Sequence, residues 1–143
     1  MQQIQPIQIP LEISYEIALK GGLQELTIYN QKFAFEIPKG IVEGTCYELQ
    51  NVLDPSTNTM HVIWVVVKYE QNQHYGREGN NLTGCFTFSK DHDGIEFIPD
   101  YPIHNELTVI RILKQQTYVF ENKGFYDELS QTTGNYILTI YLI

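Results

Sequence analysis

Two alternating runs, and the break that follows the second, set the tightest limit on what this chain can become. Ile7, Ile9, Leu11, Ile13 and Tyr15 are separated by Gln8, Pro10, Glu12 and Ser14, and Phe33, Phe35 and Ile37 by Ala34 and Glu36. A period of two places each apolar set on one face of an extended strand. The stretch Ile37-Pro38-Lys39-Gly40-Ile41-Val42-Glu43-Gly44-Thr45 then interrupts the ladder. Pro38 removes a backbone donor, while Gly40 and Gly44 permit angles that other residues avoid. The pattern predicts strand, sharp turn and strand, with Cys46 to Leu49 as the returning strand.

The remainder carries the same signature. Glu16 to Lys20 fits one helical turn closed by Gly21-Gly22. Leu23 to Tyr29 is extended, with Leu26 and Ile28 on one face, and Asn30-Gln31 is a hairpin tip. Asp54 to Asn58 has turn composition and feeds Met60 to Tyr69. Within it Val62 to Val67 runs apolar without alternation, which predicts a strand covered on both faces. Glu70 to Asn81 and Asn122 to Thr133 read as loops. Further strands are expected over Leu82–Ser89, Ile95–Ile98, Leu107–Leu113, Thr117–Glu121 and Asn135–Ile143. Roughly ten strands and at most two helical turns make the chain all-β, built as one or two small β-sandwich-like modules.

The two halves also end alike. Tyr47-Glu48-Leu49-Gln50-Asn51-Val52, a loop and Met60 to Val67 match Tyr118-Val119-Phe120-Glu121-Asn122-Lys123, a loop and Asn135 to Leu142. An internal duplication is the expectation this raises.

Charge and composition exclude several functions. Net charge is −8, and the nine Lys and Arg are scattered rather than gathered into the cationic stripe that nucleic acid needs. No apolar stretch reaches the length of a membrane-spanning helix, and Met1-Gln-Gln-Ile-Gln-Pro lacks the pattern of a signal peptide. A cytoplasmic location is therefore expected, with Cys46 and Cys85 as buried free thiols. Asp91, His92 and Asp93 are the densest acid-and-imidazole cluster, but Lys-Asp-His-Asp-Gly is turn chemistry. His61, His74 and His104 keep no ligand spacing to it. Neither a Gly-x-Ser-x-Gly elbow nor a phosphate-cradling Gly loop is present. The residues point to no enzyme, no metal and no cofactor.

Around the interrupting stretch the sequence resembles the C-terminal, substrate-binding region of DnaJ-type J-domain co-chaperones. The resemblance rests on Ile37-Pro38-x-Gly-x-x-x-Gly-Thr and on Leu11 to Gly22, which is similar to the family's first strand, short helical turn and closing Gly. It extends to His74-Tyr75-Gly76-Arg77-Glu78-Gly79-Asn80-Asn81-Leu82. That segment resembles the family's link between its two β modules, with Asn81 where an acid is usual. Past Leu82 the likeness thins to Tyr118–Gly124 and Gly134–Leu142. The implied organisation is a first β module over residues 1–82 and a shortened or diverged second module over 83–143.

The family's other parts are missing. There is no His-Pro-Asp tripeptide for stimulating a heat-shock ATPase, no Cys-x-x-Cys pair for its zinc-binding insertion, and no helical tail for dimerisation. The resemblance implies a chaperone-like, non-catalytic body that binds an extended hydrophobic peptide or unfolded segment, partly as an added strand. Carried over by position, the groove falls on Ile9, Leu11, Leu26 and Ile28, with Tyr75 at its margin. Pro10 suits an edge strand, where a missing donor does least harm. Ordinary core packing predicts the same five residues. The alternative is a β-sandwich assembly subunit that meets partners through exposed strand edges.

Overall fold

The computed structural model describes residues 5–88, 96–97, 110–111 and 116–142. It is an all-β protein in two compact units, Met1–Glu70 and Gln71–Ile143. The first holds β1 (Ile7–Ile13), α1 (Tyr15–Lys20), β2 (Gly22–Ile28), β3 (Gln31–Ile37), β4 (Cys46–Asp54) and β5 (Thr59–Tyr69). The second holds β6 (Tyr75–Glu78), β7 (Asn81–Phe88), β8 (Glu96–Phe97), β9 (Ile110–Arg111), β10 (Gln116–Phe120), β11 (Tyr126–Asp127), β12 (Thr132–Thr133) and β13 (Tyr136–Leu142). The division falls ahead of the β6–β7 pairing, which carries Leu82 into the interior of the second unit.

In the first unit β5 is central, parallel to β1 on one side and antiparallel to β4 on the other. β2 and β3 form a separate hairpin. Its turn, Tyr29-Asn30, has both residues at positive φ (49° and 64°), the backbone that matches strand twist in two-residue hairpins. α1 starts at Ser14, whose Oγ accepts from the Ile17 N–H at 3.2 Å, and stops at Gly21, where φ is 76°. A Cβ on Gly21 would meet the Ile37 carbonyl oxygen at 2.7 Å, so the chain needs glycine there.

The strand at Cys46 is present, but it does not return along β3. It pairs with β5, and residues 38–45 cross from the hairpin to the three-stranded sheet. Hydrogen bonds tie this crossing down at both ends. The Gly40 N–H donates to the Ala18 carbonyl (2.7 Å), the Gly44 N–H to the Val67 carbonyl (2.8 Å), and the Tyr69 N–H to Glu43 Oε1 (2.9 Å). The Tyr69 hydroxyl donates to the Ile41 carbonyl. The Pro and Gly residues that looked like a hairpin turn serve as a belt between two sheets.

Along β5 the odd positions Ile63, Val65, Val67 and Tyr69 are sealed, whereas Val62, Trp64 and Val66 are half-buried on the far face. The unbroken apolar run is therefore covered fully on one side only. The two thiols also differ from expectation, since both Cys46 and Cys85 are exposed. Cys46 shares its face of β4 with Glu48 and Gln50, and Cys85 shares its face of β7 with Thr83 and Thr87.

The second unit repeats the first unit's three-strand block. β13 is central, parallel to β7 and antiparallel to β10, as β5 is to β1 and β4. Tyr47 pairs with Val65 and Tyr118 with Leu138, which makes Val65 and Leu138 equivalent, both fully buried. Asn51 and Asn122 follow at the same step and share a left-handed backbone, φ 58° and 59°. This matched topology is what an internal duplication would leave. One strand breaks the match: β6, inside the segment expected to be a loop, lies along the outer side of β7.

Candidate functional site

A strand that binds another chain needs unpaired backbone groups along one side. β1 and β2 each have one such side among the described residues, since β1 ends the order β1-β5-β4 and β2 pairs only with β3. The two edges are not equal. The Ile13 carbonyl accepts from the Glu70 N–H at 2.9 Å, so Ile7, Ile9, Leu11 and Ile13 aim their backbone groups at β5. Gln8, Pro10 and Glu12 aim theirs outward. The missing N–H of Pro10 thus falls in the middle of the open edge.

β2 has no such gap. A two-residue turn makes Ile28 and Gln31 a mutually bonded pair, and the alternation of an antiparallel ladder then bonds Leu26, Gln24 and Gly22 to β3. Leu23, Glu25 and Thr27 are left with outward N–H and outward C=O groups, three of each and none removed by proline.

The five groove residues divide by burial. Leu11 (2%) and Ile28 (4%) are sealed in the first unit's core, while Ile9 and Leu26 are half-exposed one step along the same faces. Tyr75 (9%) belongs to the second unit's interior, its ring 5.9 Å edge-on to Phe86 and 6.3 Å from Tyr136. A cavity of about 530 Å³ opens on the far face of the β1–β5 pair, lined by Gln8, Ile9, Pro10, Glu43, Gly44, Val66, Val67 and Lys68. Sequence reasoning did not identify it. The signal present was the parity of Pro10 with the polar residues Gln8 and Glu12.

The segment His74–Leu82, expected as a link between modules, is a structural clasp inside the second unit. Arg77 Nε donates to the Gly79 carbonyl (2.8 Å) and an Arg77 terminal nitrogen to Asn80 Oδ1 (3.1 Å), while its guanidinium lies 4.2 Å from the centre of the Phe125 ring. The Phe125 N–H donates to the Asn80 carbonyl at 2.8 Å. Asn81 Oδ1 accepts from the Asn135 N–H at 2.9 Å, work that the oxygen of an aspartate would also do. The turn is a two-residue Gly79-Asn80 connection, a hairpin signal that places β6 in retrospect.

No family profile and no curated protein matches the chain. Among the described residues no helix is long and apolar enough to cross a membrane, and no three His, Cys, Asp or Glu side chains gather as metal ligands. Asp91, His92, Asp93 and His104 lie outside the described residues. Near the belt, the Tyr15 ring sits 5.3 Å from that of Tyr69. Burial, then the Glu43 carboxylate, Tyr69 and Glu70, raise the Tyr15 hydroxyl above the ordinary tyrosine value.

Proposed function

We propose that the first unit binds an extended apolar segment of another polypeptide, without chemistry, in the manner its resemblance to DnaJ C-terminal regions implies. The observation that carries this reading is the free edge of β2. Three outward N–H and three outward C=O groups, on Leu23, Glu25 and Thr27, are what an incoming backbone requires. Half-exposed Leu26 on β2 and half-exposed Ile9 on β1 each supply apolar surface on their own strand, while Leu11 and Ile28 are sealed in the core and are not contact residues. β1 is the weaker edge because Pro10 interrupts its outward donors. The Tyr75 ring is buried against Phe86 and is not counted among the contact residues.

The test is an amide NMR titration of the full chain with a short hydrophobic peptide. Shifts concentrated on Leu23 to Thr27, with smaller ones at Gln8 to Glu12, are the expected result. Shifts confined to β10 or β13, or none at saturating peptide, would remove the proposal.

A further inference from the structure

We infer that the segment taken up by β2 sets a lysine or arginine opposite Glu25, between apolar residues that face the other way. This rests on the peptide-binding reading above and names the chemistry of the partner. The two faces of β2 are unlike. Gln24, Leu26 and Ile28 face inward with Phe33, Phe35 and Ile37 of β3, and Leu23, Glu25 and Thr27 face outward. An added strand must present side chains to both faces in turn. Its inward residues lie beside Leu26, where apolar side chains fit, while its central outward residue meets a carboxylate flanked by Leu23 and Thr27.

Glu25 sits at the centre of the seven-residue strand. Its partner within the hairpin is Ala34, which offers no charge, and among the described residues it makes no ion pair. Because the outward backbone groups belong to Glu25 itself, the residue directly opposite on an incoming strand lies on Glu25's own face. A cation there gains a cross-strand pair, and an anion there is repelled. The wider field has the same sign, since the first unit carries eight acidic residues and four lysines.

The same carboxylate disfavours a second copy of this chain. A two-fold pairing of β2 with β2, overlapped along its full length, sets Glu25 against the partner's Glu25. Like charges directly opposite are destabilising. A central charge on an exposed edge keeps identical chains apart while leaving the edge open to a basic one.

The experiment compares fluorescence anisotropy of the full chain with three labelled peptides that share apolar residues at alternate positions and carry Lys, Ser or Glu between them. The Lys peptide should bind tightest and the Glu peptide weakest, by about tenfold between the extremes. The gap should narrow at high salt. Glu25→Gln should shrink it, and Glu25→Lys should reverse the order. Equal affinities, or an order indifferent to Glu25, would overturn this inference and leave the binding function standing. Failure of all three peptides to bind would overturn both. Sedimentation showing a dimer of the free chain, dissociated by Glu25→Pro, would assign the edge to a second copy instead.

Discussion

β1 and β7 occupy the same place in two three-strand blocks of matching topology, yet the ground beyond them differs. Beyond β7 lies β6, and the Cys85 N–H donates to the His74 carbonyl at 2.8 Å. Register makes Pro10 the counterpart of Cys85, since Pro10 pairs with Val66 and Cys85 with Thr139, each one step past the equivalent Val65 and Leu138. The donor that helps fasten a covering strand in the second unit is therefore absent from the first. Ile9 corresponds to Gly84, where a Cβ would meet the Tyr136 hydroxyl oxygen at 2.5 Å. One unit spends its edge on internal closure and packs an aromatic ring over the strand. In the other the edge is unpaired among the described residues, with an aliphatic side chain half in solvent.

If closure of the second unit depends on the clasp, breaking the clasp should have the largest effect. Phe125 is fully buried beneath the Arg77 guanidinium. Phe125→Ala should cost about 4 kcal/mol, through the cavity and the lost cation–π contact. Hydrogen exchange should show protection falling across β6, β7 and β13 while β1 and β5 keep theirs. Equal losses in both units would mean that they do not fold as separate blocks.

The second comparison is within the open unit. Leu11→Ala should cost about 3 kcal/mol in urea unfolding, because its side chain is sealed in the core. Leu26→Ala, half-exposed, should cost about 1 kcal/mol and show its main effect as weaker peptide binding. If Leu26→Ala proved the more destabilising, the division between sealed core and contact surface would be wrong.

How far these distinctions were legible in the sequence depends on their range. Period-two patterning placed the strands, and Ser14 with Gly21 bracketed the helix, because those signals are local. Ile9 and Leu11 share one face and one chemistry, and nothing in the alternation says which of them the rest of the fold will cover. The crossing at residues 38–45 departs from the expected turn for a related reason. A Pro-Gly-Gly break marks the end of a ladder but not the identity of the next partner, which β5 decides from more than ten residues away. The Cys46 and Cys85 exposures were readable, since each shares parity with polar neighbours, but small apolar character outweighed that parity. β6 was hidden by its brevity, four residues among polar ones.

A smaller effect should follow from pH, and it tests how the belt holds the open unit together. The folded-state pKa of Tyr15 is raised, so its contribution to stability is intact below the unfolded value near 10 and is lost as pH climbs through the folded one. The first unit should lose stability above about pH 10. Tyr15→Phe should flatten that decline without changing behaviour at neutral pH. Urea midpoints at successive alkaline pH values check it, and parallel declines in wild type and variant would shift the cause elsewhere.

The smallest change in stability, and the sharpest test of the comparison, is Pro10→Val. Proline lowers the entropy of the unfolded chain, so its loss should cost about 0.5 kcal/mol. Against this, β1 would regain the outward N–H that Cys85 uses in the other unit, and a β-branched side chain suits an edge position. The open edge would then offer Gln8, Val at position 10 and Glu12 as an unbroken row of donors and acceptors. Two consequences should be measurable in the same sample. Amides of Gln8 to Glu12 should shift as strongly as those of Leu23 to Thr27 when peptide is added, and the free chain should begin to self-associate as concentration rises, since an edge without its interruption recruits its own kind. Unchanged shifts at β1 and an unchanged size would show that the missing donor is not what keeps that edge free, and the contrast with Cys85 would then be one of sequence without consequence for pairing.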